Sequence, residues 1–141
     1  MIRLLGVALD HFSTELTQRV AAAGYPDIRP GHGCVFGGID PENGSRLTDL
    51  ADRAMMTKQT VGEVVSDLEK RGYVERVPDP ADGRAKIIRL TAKGQAVYLT
   101  GWRLNDEIEQ EWAAQFGEDN VAVLREALEL VHTSRFGATS G

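Results

Sequence analysis

The chain has 141 residues, 42% hydrophobic and 26% charged, with a formal net charge of −5 and one cysteine. That length suits one domain with a real core, or one small lobe with helical extensions. A single cysteine excludes an internal disulfide framework and agrees with a cytoplasmic setting, and no apolar run is long enough to span a bilayer.

From the N-terminus, Leu5, Leu9, Phe12, Leu16 and Val20 fall at helical spacings, so residues 1–23 are predicted to form a long amphipathic helix ending near Gly24. The first nine residues run into Asp10 and His11 without a basic leader or a small-residue cleavage site, so they are read as helix and not as a targeting segment. Residues 25–31, with Pro26 and Pro30, form a connector. The apolar, glycine-rich run 32–39 (HGCVFGGI) reads as a short packed helix, and 40–44 (DPENG) as a turn. Leu47–Ala54 is predicted to be a short helix with Ser45 as its cap, and Met55-Met56 the turn that follows.

In the next stretch Val61, Val64, Val65 and Leu68 stand at i, i+3, i+4 and i+7, a narrow apolar stripe. Thr57 sits where an N-cap hydroxyl belongs, and Gly72 follows the basic pair Lys70-Arg71 at the negative end of the helix dipole. The period then changes. Residues 73–77 and 86–90 are β-rich runs, and the loop between them carries Pro78 and Pro80, which cannot continue a paired strand. Helix, short turn, second helix and hairpin together describe a winged helix-turn-helix, with the second helix as the candidate DNA reader.

Thr91 is a further capping candidate, opening a helix over 92–116. Val97, Gly101, Leu104, Ile108 and Trp112 form its apolar line, widened by Tyr98 and Trp102, and Asp106, Glu107, Glu109 and Glu111 lie opposite. Val121, Leu124, Leu128 and Val131 mark a last helix. The expected fold is mostly α (α+β): N-terminal helices over 1–39 for dimerisation and support, a winged lobe over 45–91 with a two-stranded wing, C-terminal dimerisation helices over 92–136, and a flexible tail over 137–141. The terminal helices carry more apolar face than one chain covers, which predicts an intermolecular bundle and a homodimer.

The acidic total weighs against a nucleic-acid partner until its distribution is considered. Residues 45–93 hold ten Lys/Arg against eight Asp/Glu, a balance of +2 that leaves −7 for the rest of the chain. The reading lobe is thus the less acidic part, though only mildly basic.

Residues 46–94 resemble the MarR family of bacterial transcriptional regulators. The resemblance rests on Leu50-Ala51, on 61–68, on the run LEKRGYV at 68–74, and most sharply on Asp82-x-Arg84 followed by Leu90-Thr91 and Gly94, which match the family's wing signature. About a third of the chain carries these motifs. The resemblance implies a homodimer on a pseudo-palindromic operator, released from DNA by a small phenolic or lipophilic effector or, in some members, by oxidation.

On this reading Thr57, Lys58, Gln59, Thr60, Gly62, Glu63 and Ser66 form the face presented to DNA. Gln59 can pair bidentately with adenine, Thr60 can bond a base or touch a thymine methyl, and Lys58 can take guanine or phosphate. Gly62 lets the helix backbone approach a groove closely. Glu63 departs from the family, where a basic residue is common, and either accepts from cytosine or repels phosphate. The bland alternative is a solvated helix face. On the wing, Arg84 is the candidate for insertion into the minor groove, with Asp82 orienting it through a charge-assisted pair, unless the two only tie down the loop. Arg76, Lys86 and Arg89 are assigned to phosphate.

A possible effector pocket between the winged lobe and the dimer helices would be lined by His11, Phe12, His32, Cys34 and Trp102, all of which can equally be core. Cys34 is read as buried and inert. His11, His32 and His132 are too scattered for a metal cluster, and no cofactor is expected. Absent a phosphate-cradling glycine loop or a nucleophile–base pairing, an enzyme is not expected either. The competing reading is a winged-helix module that binds protein and lacks sequence-specific DNA binding.

Overall fold

The computed structural model describes residues 1–136; the predicted flexible tail, 137–141, lies outside the described residues. The helices are α1 (Ile2–Ala22), α2 (Gly33–Phe36), α3 (Leu47–Ala54), α4 (Lys58–Lys70), α5 (Ala92–Phe116) and α6 (Glu118–Phe136), with a 3-10 turn at Pro30–His32 before α2. The strands are β1 (Ser45–Arg46), β2 (Val74–Pro78) and β3 (Lys86–Leu90). The chain divides into two compact units, one covering residues 1–102 and the other beginning at Arg103.

The first unit is built on α4. Val61, Val65 and Leu68 are wholly buried, together with Leu50 of α3, Tyr73, Val74 and Ile88. Each such aliphatic side chain contributes roughly 1.5–3 kcal/mol by leaving water. Thr57 caps α4 by accepting the backbone N–H of Thr60 at 3.1 Å. At the other end the Tyr73 N–H returns to the Leu68 carbonyl and the Gly72 N–H to that of Glu69, with Gly72 at φ 83°. This is the Schellman ending that a glycine after the last turn permits. α3 ends in the same pattern, but Met55 occupies the left-handed position at φ 54°. A non-glycine residue there costs about 1–2 kcal/mol.

The wing is one strand larger than expected. Ser45 and Arg46 pair antiparallel with Ile88 and Ile87, giving a three-stranded sheet in the order β1-β3-β2. Ser45 therefore does not cap α3, whose N-cap position is Arg46. Its hydroxyl instead accepts the Asp40 N–H at 3.0 Å and takes a bond from Arg53 at 3.2 Å. The tight turn before β1 requires Gly44. Its φ is 74°, and a Cβ there would lie 2.5 Å from the Ile88 carbonyl oxygen.

Thr91 caps α5 through the Gly94 N–H at 3.1 Å and donates its hydroxyl to the Gly72 carbonyl. The start of α5 is thereby pressed against the Tyr73 backbone. Along α5, Val97, Leu104 and Ile108 are buried, as their spacing predicts. α1 follows its predicted stripe only in part. Val20 is buried and Phe12 partly so, whereas residues 1–11 are all exposed, Leu5 and Leu9 among them. In the second unit Arg125 of α6 donates from Nε to Glu109 of α5 at 3.0 Å, and Val123, Leu124, Leu128, Leu130 and Val131 are exposed. Among the described residues no helix is long and apolar enough to cross a membrane.

Candidate nucleic-acid interface

The outward face of α4 follows from the inward one. With Val61, Val65 and Leu68 turned to the core, Thr57, Lys58, Gln59, Thr60 and Glu63 are exposed, and Gly62 and Ser66 are half-buried. Lys58, Gln59, Gly62, Glu63, Ser66 and Arg76 line an open groove of about 690 Å³ along this face. The structure thus gathers five of the seven α4 candidates, together with Arg76 of β2, on one surface, with Thr57 and Thr60 at its N-terminal end. The hydroxyls of Thr57 and Thr60 lie 2.8 Å apart and hold each other. Ser66 donates to the Gly62 carbonyl at 2.9 Å, so its hydroxyl hydrogen is already used.

Gly62 has no packing reason to be glycine. An added Cβ would meet only Leu47 Cδ2 at 3.7 Å, an ordinary contact. Helix interiors disfavour glycine by about 1 kcal/mol relative to alanine, so this chain carries that cost without an internal return.

The three β-ribbon cations assigned to phosphate separate in space. Side chains alternate across a strand, and the pairs Arg76↔Ile88 and Pro78↔Lys86 put Arg76 and Lys86 on the face of buried Val74, Ile88 and Leu90. Arg76 reaches back onto α4, donating to Ser66 Oγ at 3.2 Å and approaching Glu69 at 3.4 Å. It belongs to the α4 groove and not to the wing tip. Arg89 points to the other face, where it is paired with the cross-strand Glu75 at 2.6 Å.

At the tip, Arg84 is exposed, and among the described residues its guanidinium has no hydrogen-bond or ion-pair partner. The expected charge pair with Asp82 is not formed. The Asp82 carboxylate accepts the backbone N–H of Arg84 at 3.1 Å, shaping the turn and leaving the side chain unengaged. The ion pair that does anchor the wing is Arg46–Asp79, with Arg46 Nε donating to Asp79 Oδ2 at 2.8 Å. Asp79 is only 6% exposed. The Ala81 N–H, and after it the Arg46 guanidinium, hold its carboxyl below the usual aspartate range. Sequence reasoning missed this pair because 33 residues separate its members.

The five effector-pocket candidates have different fates. His32 is buried and committed: its Nδ1 accepts the Arg29 N–H at 3.0 Å, and its Nε2 lies 2.7 Å from Asp67 Oδ2 on α4. Cys34 is half-buried, and burial pushes its thiol up, away from the reactive thiolate. His11 is exposed, Phe12 half-buried, and Trp102 exposed with its ring 6.2 Å from that of Tyr98. Among the described residues no group of three or more His, Cys, Asp and Glu is placed to hold a metal ion.

A short helix, a turn, a capped and outward-facing second helix, and a β-ribbon with an unpaired arginine at its tip define a winged helix-turn-helix protein. Comparison with known proteins narrows the class. A sequence model of the MarR family matches residues 28–85. The transcriptional regulator HosA of Escherichia coli O111:H- is 30% identical over 95 residues, covering 67% of this chain and 70% of HosA. Among solved structures, the fold is similar to the transcriptional repressor CouR bound to a 23-mer DNA duplex, at a TM-score of 0.76 and 24% identity over 92% of this chain and 89% of that one. It is equally similar to the S. aureus MepR–DNA complex, with a TM-score of 0.76 and 23% identity over 95% and 97% of the two chains. The chain belongs to the MarR family. It is a DNA-binding transcriptional regulator and not an enzyme.

Proposed function

We propose that this protein is a homodimeric repressor that binds a pseudo-palindromic operator and leaves it when a small aromatic or lipophilic effector binds. Two copies supply two α4 helices, whose N-terminal turns enter successive major grooves. Gln59, Thr60 and Lys58 read base edges there, Ser66 and Glu63 follow deeper along the helix, and Thr57 caps it. Gly62 lets the backbone approach. Arg84 enters the flanking minor groove, where narrow A·T tracts concentrate negative potential. Lys86 and Arg76 neutralise phosphate, Arg89 does so from the outer face once released by Glu75, and Asp82 shapes the turn that presents Arg84. The apolar faces of α1, α5 and α6 cover one another between copies. The protein acts in the cytoplasm, where its DNA is.

The observation that carries this reading is Gly62. It is a glycine in the middle of the outward helix face that no packing among the described residues requires. CouR and MepR, which share the fold, have been seen on DNA. The alternative, a winged helix that binds protein, draws on the acidic total and on the exposed Glu63 in the middle of the reading face.

Selection of purified protein against random duplex DNA at near-physiological salt separates the two. The expected outcome is an enriched inverted repeat with half-sites about one helical turn apart. Its binding should weaken steeply with salt as phosphate contacts release counterions. No enrichment from folded protein would replace the operator with a protein partner.

A further inference from the structure

His32 is a buried titratable side chain that DNA reading does not use, and the bonds it makes are specific in direction. Its Nδ1 accepts a backbone N–H, that of Arg29, at 3.0 Å. An amide donor at Nδ1 requires that nitrogen to be unprotonated, so the ring proton sits on Nε2 and is donated to Asp67 Oδ2 at 2.7 Å. Asp67 belongs to the C-terminal half of α4, and the same oxygen accepts Nε of Arg71 at 2.9 Å. Arg71 in turn donates to the Asp27 carbonyl at 3.2 Å, and the Tyr73 hydroxyl to Asp27 Oδ1 at 2.6 Å. The connector residues 27–32 therefore grip the C-terminal end of the reading helix, and the residues just after it, through three hydrogen bonds. Among the described residues, the side chains of 57–61 make no hydrogen bond to another element; that end is capped by its own Thr57 and held by the packing of Val61.

Asp67 and Gln59 are eight residues apart, about 12 Å along a helix axis. A tilt of about 5° at the gripped end would move the reading turn by roughly 1 Å, beyond the tolerance of a directional base contact. We propose that His32 is a positioning residue for DNA reading: by donating from Nε2 to Asp67 it sets the angle at which α4 meets the groove. This rests on the reading of α4 as the DNA reader.

Two replacements in the full chain divide the histidine's two bonds. His32→Gln places an amide nitrogen near the position of Nε2 and keeps the donor to Asp67. His32→Asn places its amide near Nδ1, retains a partner for the Arg29 N–H, and falls short of Asp67. The readouts are the melting temperature and the ratio of affinities for two duplexes: the one enriched from a random pool by the wild type, and a scrambled one of equal length. His32→Asn should lower that ratio about tenfold or more, the scale of one charge-assisted bond, with affinity for the scrambled duplex unchanged. His32→Gln should preserve the ratio even if its melting temperature falls. Retention of the ratio by both variants, or its loss in both in step with the melting temperature, would overturn the proposal and leave His32 a core residue. Should His32→Asn not fold, Asp67→Ala removes the acceptor of the imidazole. It must then lower the same ratio, and an unchanged ratio overturns the proposal. A wild type that enriches no sequence is a different result, because it removes the DNA-reading role itself.

Discussion

The cations of the proposed interface differ in what already holds them. Arg46 is spent on Asp79 and Arg89 on Glu75, and Arg76 lies along α4 against Ser66 and Glu69. Arg84 has no such competitor, so contact with DNA costs it no internal bond. Arg84→Ala is expected to weaken operator binding by roughly 1–2 kcal/mol, about tenfold, with an unchanged melting temperature. Titration of the variant against operator and scrambled duplex checks this; unchanged affinity would remove the wing tip from the interface. Asp79 leads to a pH expectation. Its carboxyl is held below the ordinary value of 3.8 by the Ala81 N–H and then Arg46. Asp67 is lowered in the same direction by Arg71 and then His32, and Asp27 by the Tyr73 hydroxyl. A pKa lowered on folding adds stability that is present above the unfolded value and lost as pH falls through the folded one. The part of the stability these three carboxylates supply should therefore be lost below about pH 4, read as a steep fall in melting temperature there. Asp79→Asn should melt lower at neutral pH and show a shallower acid fall.

Two glycines show how elements divide between packing and function. At Gly94, a Cβ would stand 1.9 Å from the Tyr73 carbonyl oxygen, a backbone atom that cannot move aside without disturbing the start of α5. Gly94→Ala is expected to cost at least about 1–3 kcal/mol, read as a lower denaturant midpoint. At Gly62 the same substitution meets open room, so Gly62→Ala should raise stability by up to about 1 kcal/mol while weakening operator binding. A variant that is both more stable and equally tight on DNA would remove Gly62 from the reading face. The helices were legible in the sequence because their apolar residues keep the 3.6 period and their caps are local. Thr57, Thr91 and Gly72 each do what their position predicts. β1 was not legible. Two residues carry no periodicity, and Ser45 reads as a helix cap until its partner Ile88 is known.

On the scale of the molecule, the exposed residues 2–11 of α1 and the apolar side chains of α6 are surfaces a second copy would cover. Each leucine removed from water contributes roughly 1.5–3 kcal/mol, so replacing Leu5 and Leu9 with glutamate on both copies should break the assembly. Sedimentation of the double variant at micromolar concentration should show monomer where the wild type shows dimer. Its operator affinity should fall sharply while each lobe still melts cooperatively. A variant that remains dimeric would move the interface elsewhere on the chain.

The sequence alone determined the order of helices, the winged-helix fold class, the apolar stripe of α4 and hence its outward face, and the family. All of these depend on short-range spacing. Only the tertiary structure decided which charges are free. Arg46–Asp79, His32–Asp67 and Tyr73–Asp27 join residues 33, 35 and 46 positions apart. Asp82 and Arg84, close enough in sequence to suggest a pair, meet through the backbone instead. Spacing along the chain constrains which side chains share a face, but a directional bond depends on where the folded backbone brings donor and acceptor.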